Sequence, residues 1–138
     1  MEFVLIRHGD PDYSACVRGG INGQGFGLVP LSEKGLQQAR QVAAHPALAG
    51  AQLVLSSPYT RALQTAAEIV RTTGLPLAVE TDLHELMADR SGAPHTREEM
   101  KQLHQEFLAC RGRWPEGDER PWETVDQLTD RVTGVLSR

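Results

Sequence analysis

The chain has 138 residues, of which 40% are hydrophobic and 23% charged, and these values are ordinary for one globular domain with its own core. Its net charge of −4 argues against nucleic-acid binding, which needs a basic face. No apolar run reaches membrane length, and no signal peptide opens the chain. We therefore expect a cytoplasmic protein that forms a single domain over residues 1–138 and does not bind membranes.

The two cysteines, Cys16 and Cys110, are expected to be free thiols because the chain has no secretory leader. Neither belongs to a pair with metal-ligand spacing such as C-x-x-C. The sequence therefore leads us to assign no metal and no cofactor.

The first stretch of the chain, Phe-Val-Leu-Ile at residues 3–6, is typical of a strand buried on both faces. Arg7, His8 and Gly9 follow it directly. An imidazole can act as a nucleophile and a guanidinium can clamp an oxyanion. Gly9 permits a sharp turn that brings backbone N–H groups to a ligand. The alternative is a strand that ends in ordinary polar residues.

Residues 10–31 contain five glycines and two prolines, which predicts a long loop. A loop of this length inside a compact domain is usually a lid or a binding loop. Asn22, Gln24 and Gly25 offer amide donors that could close over a polar ligand. The alternative is a loop without a specific function.

A second buried strand is predicted at the apolar residues 53–55, followed by a helix that starts near Pro58 and ends at Gly74. Arg61 then lies in the first turn of this helix, close to the carboxyl end of the strand. The first turn of a helix presents unpaired N–H groups and a positive dipole, so an arginine there indicates an anion site.

The remaining elements complete an alternating pattern of strands and helices. They are a helix over residues 33–44 capped by Ser32, a strand over 77–79, a helix begun by a Thr96–Glu99 capping box, and a final helix from about Pro121. This order predicts an α/β layer fold with a parallel core sheet, whose ligands gather beyond the carboxyl ends of the strands. His8, Arg61 and Glu85 each come just after one of the three predicted strands.

With these residues identified, the chain resembles the histidine phosphatase superfamily, the phosphoglycerate-mutase-like proteins. The resemblance rests on several motifs in the expected order: LIRHG at residues 5–9, Asn22 with Gln24 and Gly25, PLSEKGLQQA at 30–39, SSPYTRALQTA at 56–66, Glu85, and the helix at 123–132. It covers the whole chain and implies a three-layer α/β sandwich with a mainly parallel central sheet.

The resemblance also implies a chemistry for each of these residues. His8 would attack a phosphomonoester to give a phosphohistidine, and Glu85 would protonate the leaving oxygen. Arg7 and Arg61 would neutralise the phosphoryl oxygens. Asn22, Gln24 and Gly25 would line the phosphate side. For Glu85 the alternative is a solvated glutamate after a strand.

The chain departs from the family in one respect, since the family carries a second histidine in a His-Gly pair after a further apolar strand. His84, His95 and His104 follow no such strand, so none replaces it. We expect a C-terminally truncated form, with completion by another chain or a reduced sheet as alternatives. Three functional hypotheses follow: a phosphatase or mutase of reduced activity, a module that binds phosphate or a phosphorylated small molecule, and a protein that acts as a homo-oligomer through an exposed sheet edge.

Overall fold

The chain divides into two compact units in a computed structural model that describes residues 2–14, 16, 23–93 and 95–138. The first unit ends at His84, and the second, which also takes Gly23 and Gln24, begins at Glu85. Within these ranges no helix is both long and apolar enough to cross a membrane. Cys16 and Cys110 are both free thiols, as the sequence predicts.

The first unit contains a parallel two-stranded sheet made of β1 (Val54–Ser56) and β2 (Leu77–Val79). Val54 is opposite Leu77 and Ser56 is opposite Val79. The Glu80 N–H donates to the Ser56 carbonyl at 2.9 Å and extends the pairing beyond the strands. Two of the three predicted strands and their parallel direction are therefore confirmed.

The predicted strand at residues 3–6 is not part of this sheet. Among the described residues the sheet holds β1 and β2 alone, and Phe3, Val4 and Leu5 are exposed, Leu5 by 87%. Burial of the sheet strands is also less than predicted, since Leu55 of β1 and Val79 of β2 are exposed. An apolar run favours an extended chain, but it becomes a buried strand only where a neighbour pairs its N–H and C=O groups and a layer covers its side chains.

Two helices, α1 (Glu33–Ala43) and α2 (Thr60–Thr73), pack on each other in the first unit. Both helices carry small and branched apolar residues that are buried, namely Ala39, Ala43, Ala66 and Ile69. Glu68 is also buried, and its carboxylate lies 2.9 Å from Arg71 Nη1 and 3.7 Å from Arg40 Nε. The two arginines provide the counter-charge that a buried carboxylate needs.

The ends of these helices largely follow the sequence signals. Ser32 caps α1 by accepting the Gly35 N–H at 3.0 Å, and Gly74 ends α2 in the left-handed region at φ +72°. The start of α2 differs, because Tyr59 is the N-cap and contributes no side-chain cap. The described residues also form three short 3-10 helices: Gly23–Leu28, Pro46–Leu48 and Thr81–Leu83.

The second unit contains the helices α3 (Arg97–Ala109) and α4 (Val125–Leu136), and each begins with a capping box. The box of Thr96 and Glu99 is the one predicted. The final helix does not start near Pro121, because Thr124 accepts the Gln127 N–H at 3.1 Å and so makes Val125 the first helical residue.

The core of the second unit is formed around Trp122, which is 1% exposed. Its ring meets Phe107 of α3 edge to face, with centroids 6.3 Å apart. The Trp114 indole N–H donates to the Trp122 carbonyl at 2.9 Å. Gly112, at φ +70°, turns the chain after α3 so that its carbonyl accepts the Val125 N–H at 2.9 Å.

Asp89 forms a polar cluster in the second unit with the exposed Ser91 and the half-buried His95, and its own side chain is 6% exposed. The Ser91 hydroxyl donates to Asp89 Oδ2 at 2.7 Å, and His95 Nε2 donates to the same oxygen at 3.0 Å. Burial alone would raise the pKa of Asp89, but the hydrogen bonds from Ser91 and His95 outweigh it and lower the pKa below its ordinary value of 3.8.

Candidate active site

His8 makes two hydrogen bonds that determine which ring nitrogen carries the proton. Nδ1 lies 2.7 Å from the Gly9 carbonyl oxygen, which can only accept, so Nδ1 is the donor. Nε2 lies 3.2 Å from Nε of Arg61, which can only donate, so Nε2 is the acceptor. The geometry therefore requires a neutral imidazole with a lone pair on Nε2.

Arg61 is the residue that faces this lone pair, and it lies in the first turn of α2, as predicted. It is 3% exposed, and its Nη1 donates to the Phe26 carbonyl at 2.8 Å. The guanidinium carbon also lies 4.8 Å from the centroid of the Tyr59 ring. These contacts hold the guanidinium in one orientation beside His8.

Thr65 joins the helix that carries Arg61 to the turn that carries His8. Its hydroxyl donates to the Arg61 carbonyl at 2.9 Å and accepts the Gly9 N–H at 3.2 Å. Thr65 is 4% exposed, so water does not compete for these bonds. The sequence reasoning did not assign Thr65 to the site, although a hydroxyl one turn after Arg61 was a signal for it.

Gly9 is required for packing against α1. A Cβ on Gly9 would overlap the Gly35 carbonyl oxygen and lie 2.9 Å from the carbonyl carbon, and a Cβ on Gly35 would overlap the Asp10 carbonyl oxygen. Gly9 does not have a positive φ. Glycine is therefore needed at this position for a close backbone contact with Gly35 and not for the sharp turn that the sequence predicts.

Two glutamine side chains hold the backbone around this contact, and the sequence reasoning did not identify either. Gln38 of α1 accepts the Asp10 N–H at 2.8 Å, and Gln64 of α2 accepts the Leu31 N–H at 2.7 Å. The donor at Asp10 is exposed, whereas Leu31 is buried and also forms an isolated antiparallel bridge with Pro11. The signal for them was their position in the motifs at residues 30–39 and 56–66, next to Ala39 and Thr65.

A cavity of about 390 Å³ opens beside His8. Arg7, His8, Asp10, Gln38 and Thr65 are among the residues that line it. Its volume lies in the lower part of the range for small-molecule sites. The structure therefore brings Arg7 and His8 to one cavity, and the hydrogen bond from Arg61 ties that arginine to the same imidazole.

The predicted phosphate loop is described only in part. Gly25 lies in the 3-10 helix Gly23–Leu28, whose Phe26 carbonyl accepts from Arg61. The backbone of Gln24 belongs to the same 3-10 helix, and Asn22 lies outside the described residues.

Glu85 lies at the start of the second unit, and its side chain is exposed. Its carbonyl oxygen is 3.4 Å from Nη2 of Arg131 on α4. Its role as a proton donor stays a prediction.

The comparison with known families shows to which family the chain belongs. The sequence model of the histidine phosphatase superfamily (branch 1) matches residues 3–138. The chain belongs to this superfamily. Membership agrees with the α/β fold with a parallel sheet.

The curated relatives of this histidine phosphatase chain include phosphoglycerate-mutase-like proteins. It is 30% identical over 141 residues to the protein named "Probable phosphoglycerate mutase GpmB" from Shigella dysenteriae serotype 1, covering 99% of this chain and 61% of that protein. The chain thus spans about three-fifths of the length of the curated relatives it matches.

Solved structures of phosphatases share its fold. A mycobacterial glucosyl-3-phosphoglycerate phosphatase with inorganic phosphate has a TM-score of 0.68 and 25% identity, over 95% of this chain and 58% of that one. The same enzyme with VO3 has a TM-score of 0.67. The α-ribazole phosphatase of Shigella flexneri has a TM-score of 0.66 and 26% identity, over 96% of this chain and 64% of that one.

Proposed function

We propose that this chain transfers a phosphoryl group from a small phosphomonoester through a phosphohistidine on Nε2 of His8. The observation that carries the proposal is the pair of hydrogen bonds at the imidazole. The bond from Nδ1 to the Gly9 carbonyl leaves the Nε2 lone pair as the nucleophile, and Arg61 stands 3.2 Å from that atom.

The proposed reaction has two steps. In the first, the Nε2 lone pair attacks phosphorus, an N–P bond forms, the P–O bond to the leaving group breaks, and the Glu85 carboxyl gives its proton to the leaving oxygen. In the second, water attacks phosphorus, the N–P bond breaks, and the Glu85 carboxylate takes the proton of the water. If an alcohol replaces water, the same chemistry makes the protein a mutase.

The cations would act on the phosphoryl oxygens. As phosphorus approaches Nε2, the Nε–H of Arg61 shifts from the lone pair to a phosphoryl oxygen that arrives at the same place. Arg7, from the wall of the cavity, supplies the second charge. Asn22, Gln24 and Gly25 are proposed as further phosphate ligands, on the resemblance of their motif alone.

A small polar phosphomonoester is the proposed substrate class. The relatives are named for phosphoglycerate, glucosyl-3-phosphoglycerate and α-ribazole. Solved structures of the mycobacterial relative contain inorganic phosphate or VO3, which supports an oxyanion as the group bound. A cavity of about 390 Å³ fits a molecule of this size.

The proposal is tested by labelling with a small reactive phosphoryl donor such as phosphoramidate over a long incubation. The label should be stable in alkali and labile in acid, and phosphorus NMR should place it on Nε2. His8→Ala should abolish the label, whereas His104→Ala, at an exposed position of α3, should keep it. A label that survives His8→Ala would refute the proposal. Binding of inorganic phosphate without any label would favour the phosphate-binding module instead.

Association of copies of the chain through exposed strand surface is a further proposal. Its support is the exposure of the apolar residues 3–5, of Leu53 just before β1 and of Leu55 within it. Light scattering should show a mass that rises with concentration, and Leu5→Lys should lower that rise while Leu108→Lys, on α3, should not. A constant monomer mass would refute this proposal.

The single domain over 1–138 and the cytoplasmic location stay predictions.

A further inference from the structure

We infer that Glu123 and Arg131 are positioning residues for Glu85, the proton donor of the proposed function on which this inference rests. Three hydrogen bonds tie the segment 85–87 to this pair. The Met87 N–H donates to Glu123 Oε2 at 3.2 Å, the Glu123 N–H donates to the Met87 carbonyl at 2.9 Å, and Arg131 Nη2 donates to the Glu85 carbonyl at 3.4 Å. The backbone is therefore held directly after the Glu85 side chain, at its own carbonyl and at Met87.

The pair is a buried, two-pronged ion pair. Arg131 Nη2 lies 2.9 Å from Glu123 Oε2, and Arg131 Nε lies 2.5 Å from Oε1. The two side chains are 13% and 7% exposed. Two parallel bonds between a guanidinium and a carboxylate allow little rotation of either group. The pair is thus a rigid support for the segment that it contacts.

The support is itself fixed by its neighbours along the chain. Trp122, 1% exposed, precedes Glu123, and Thr124, the N-cap of α4, follows it. Arg131 lies about two turns further along the same helix. Glu123 is therefore tied to the start of α4 and Arg131 to its middle, so that the segment 85–87 takes its position from that helix.

These three contacts place the backbone of the segment 85–87. They hold the Glu85 carbonyl and the Met87 N–H and carbonyl. This is the arrangement that a general acid needs, because its carboxyl must reach a leaving oxygen while its main chain stays in place. A misplacement of about 1 Å in such a group can lower a rate about 100-fold.

The test uses the double variant Glu123→Met/Arg131→Met. Replacing both members of a buried ion pair by apolar residues is often tolerated by the fold, whereas removing one leaves a buried charge without its partner. The double variant therefore removes the two side-chain hydrogen bonds to residues 85–87 and leaves no buried charge without its partner, while the bond from the Glu123 N–H to the Met87 carbonyl remains. Arg113→Met/Asp126→Asn is the matched control, since that ion pair lies in the same unit and both of its side chains are more than 70% exposed.

The readout is the rate of alcohol release in the phosphorylation of His8, compared for two esters. Phenyl phosphate needs a proton on its leaving oxygen, and 2,4-dinitrophenyl phosphate does not. We expect the double variant to slow release of phenol about 10- to 100-fold and to change release of dinitrophenol less than about threefold. Glu85→Gln should show the same selectivity with a larger loss, and the control pair should show neither.

Each other outcome has a defined meaning. A selective loss in Glu85→Gln but not in the double variant would overturn the inference alone. An equal loss with both esters in the double variant would also overturn it, because it would indicate general damage to the fold. If the unaltered chain cleaves neither ester, the proposed function fails. Hydrogen exchange then tests whether Glu123 and Arg131 hold residues 85–87 in place. If the Met87 amide, relative to the amides of α3, exchanges no faster in the double variant than in the unaltered chain, the inference is refuted.

Discussion

Thr65→Val tests whether α2 holds the turn that carries His8. The substitution keeps the shape of the side chain and removes its hydroxyl, which accepts the Gly9 N–H at 3.2 Å. The hydroxyl also donates to the Arg61 carbonyl, but that carbonyl retains its bond within the helix. The main consequence is therefore a buried N–H of Gly9 without an acceptor.

The expected loss follows from the burial of both groups. Thr65 is 4% exposed and Gly9 is buried, so water does not replace the lost acceptor. A buried donor left without a partner costs about 1–3 kcal/mol of folding free energy. We expect Thr65→Val to lower the free energy of unfolding by that amount. It should also slow the labelling of His8, because Gly9 is the residue to which His8 Nδ1 donates.

The measurement is urea unfolding followed by far-UV circular dichroism, since both tryptophans lie in the second unit and do not report on α2. Thr129→Val is the control, because its hydroxyl makes the same kind of bond to a helical carbonyl, that of Val125 at 2.8 Å, at an exposed position. It should change the free energy of unfolding by less than about 0.5 kcal/mol. If the two variants are equally stable, the bond from Gly9 to Thr65 does not support the turn.

The remaining predictions concern packing, anion binding and pH. Gly35→Ala should destabilise the first unit by about 1–3 kcal/mol in urea unfolding, because its Cβ would overlap the Asp10 carbonyl, and an unchanged midpoint would disprove the contact. Arg61→Ala should weaken binding of inorganic phosphate by about 1.5–3 kcal/mol in calorimetry, and equal affinity would exclude Arg61 from the site. Because its pKa is lowered in the folded state, Asp89 stabilises the fold above pH 3.8 and loses this effect as the pH falls through the folded pKa. The difference in unfolding free energy between the chain and Asp89→Asn should therefore be largest at neutral pH and shrink below pH 3.8, and a difference independent of pH would contradict the assignment.

The elements that could be predicted from the sequence are those set by a few neighbouring residues. Ser32 and the Thr96–Glu99 box define helix starts because a cap needs only a side chain and an N–H three residues away. The start of α4 was missed because Pro121 also fits a first helical turn, and Thr124 with Gln127 makes a second box further along. Local signals of similar strength compete, and the structure shows which one the chain uses.

Features that depend on distant partners could not be predicted in the same way. Residues 3–6 have the composition of a buried strand, but composition does not state which strand would pair with them. At the site, His8 and Arg61 were expected together because both follow predicted strands, and the structure joins them. Thr65 and Gln64 were missed because their acceptor roles depend on backbone donors more than 30 residues away in the chain.

The His8 imidazole can keep its geometry although residues 3–6 pair with no strand among the described residues, because the backbone after His8 is held by side chains. The N–H of Gly9 is bonded to Thr65 and that of Asp10 to Gln38, and the Asp10 carbonyl accepts the Ser32 N–H at 2.9 Å. Buried or crowded N–H groups must find acceptors, and here two helices supply the acceptors that a neighbouring strand would otherwise provide. The position of the His8 imidazole therefore depends on the contact of α1 with α2 more than on the sheet. A substitution in that contact should disturb phosphorylation of His8 even where β1 and β2 are intact.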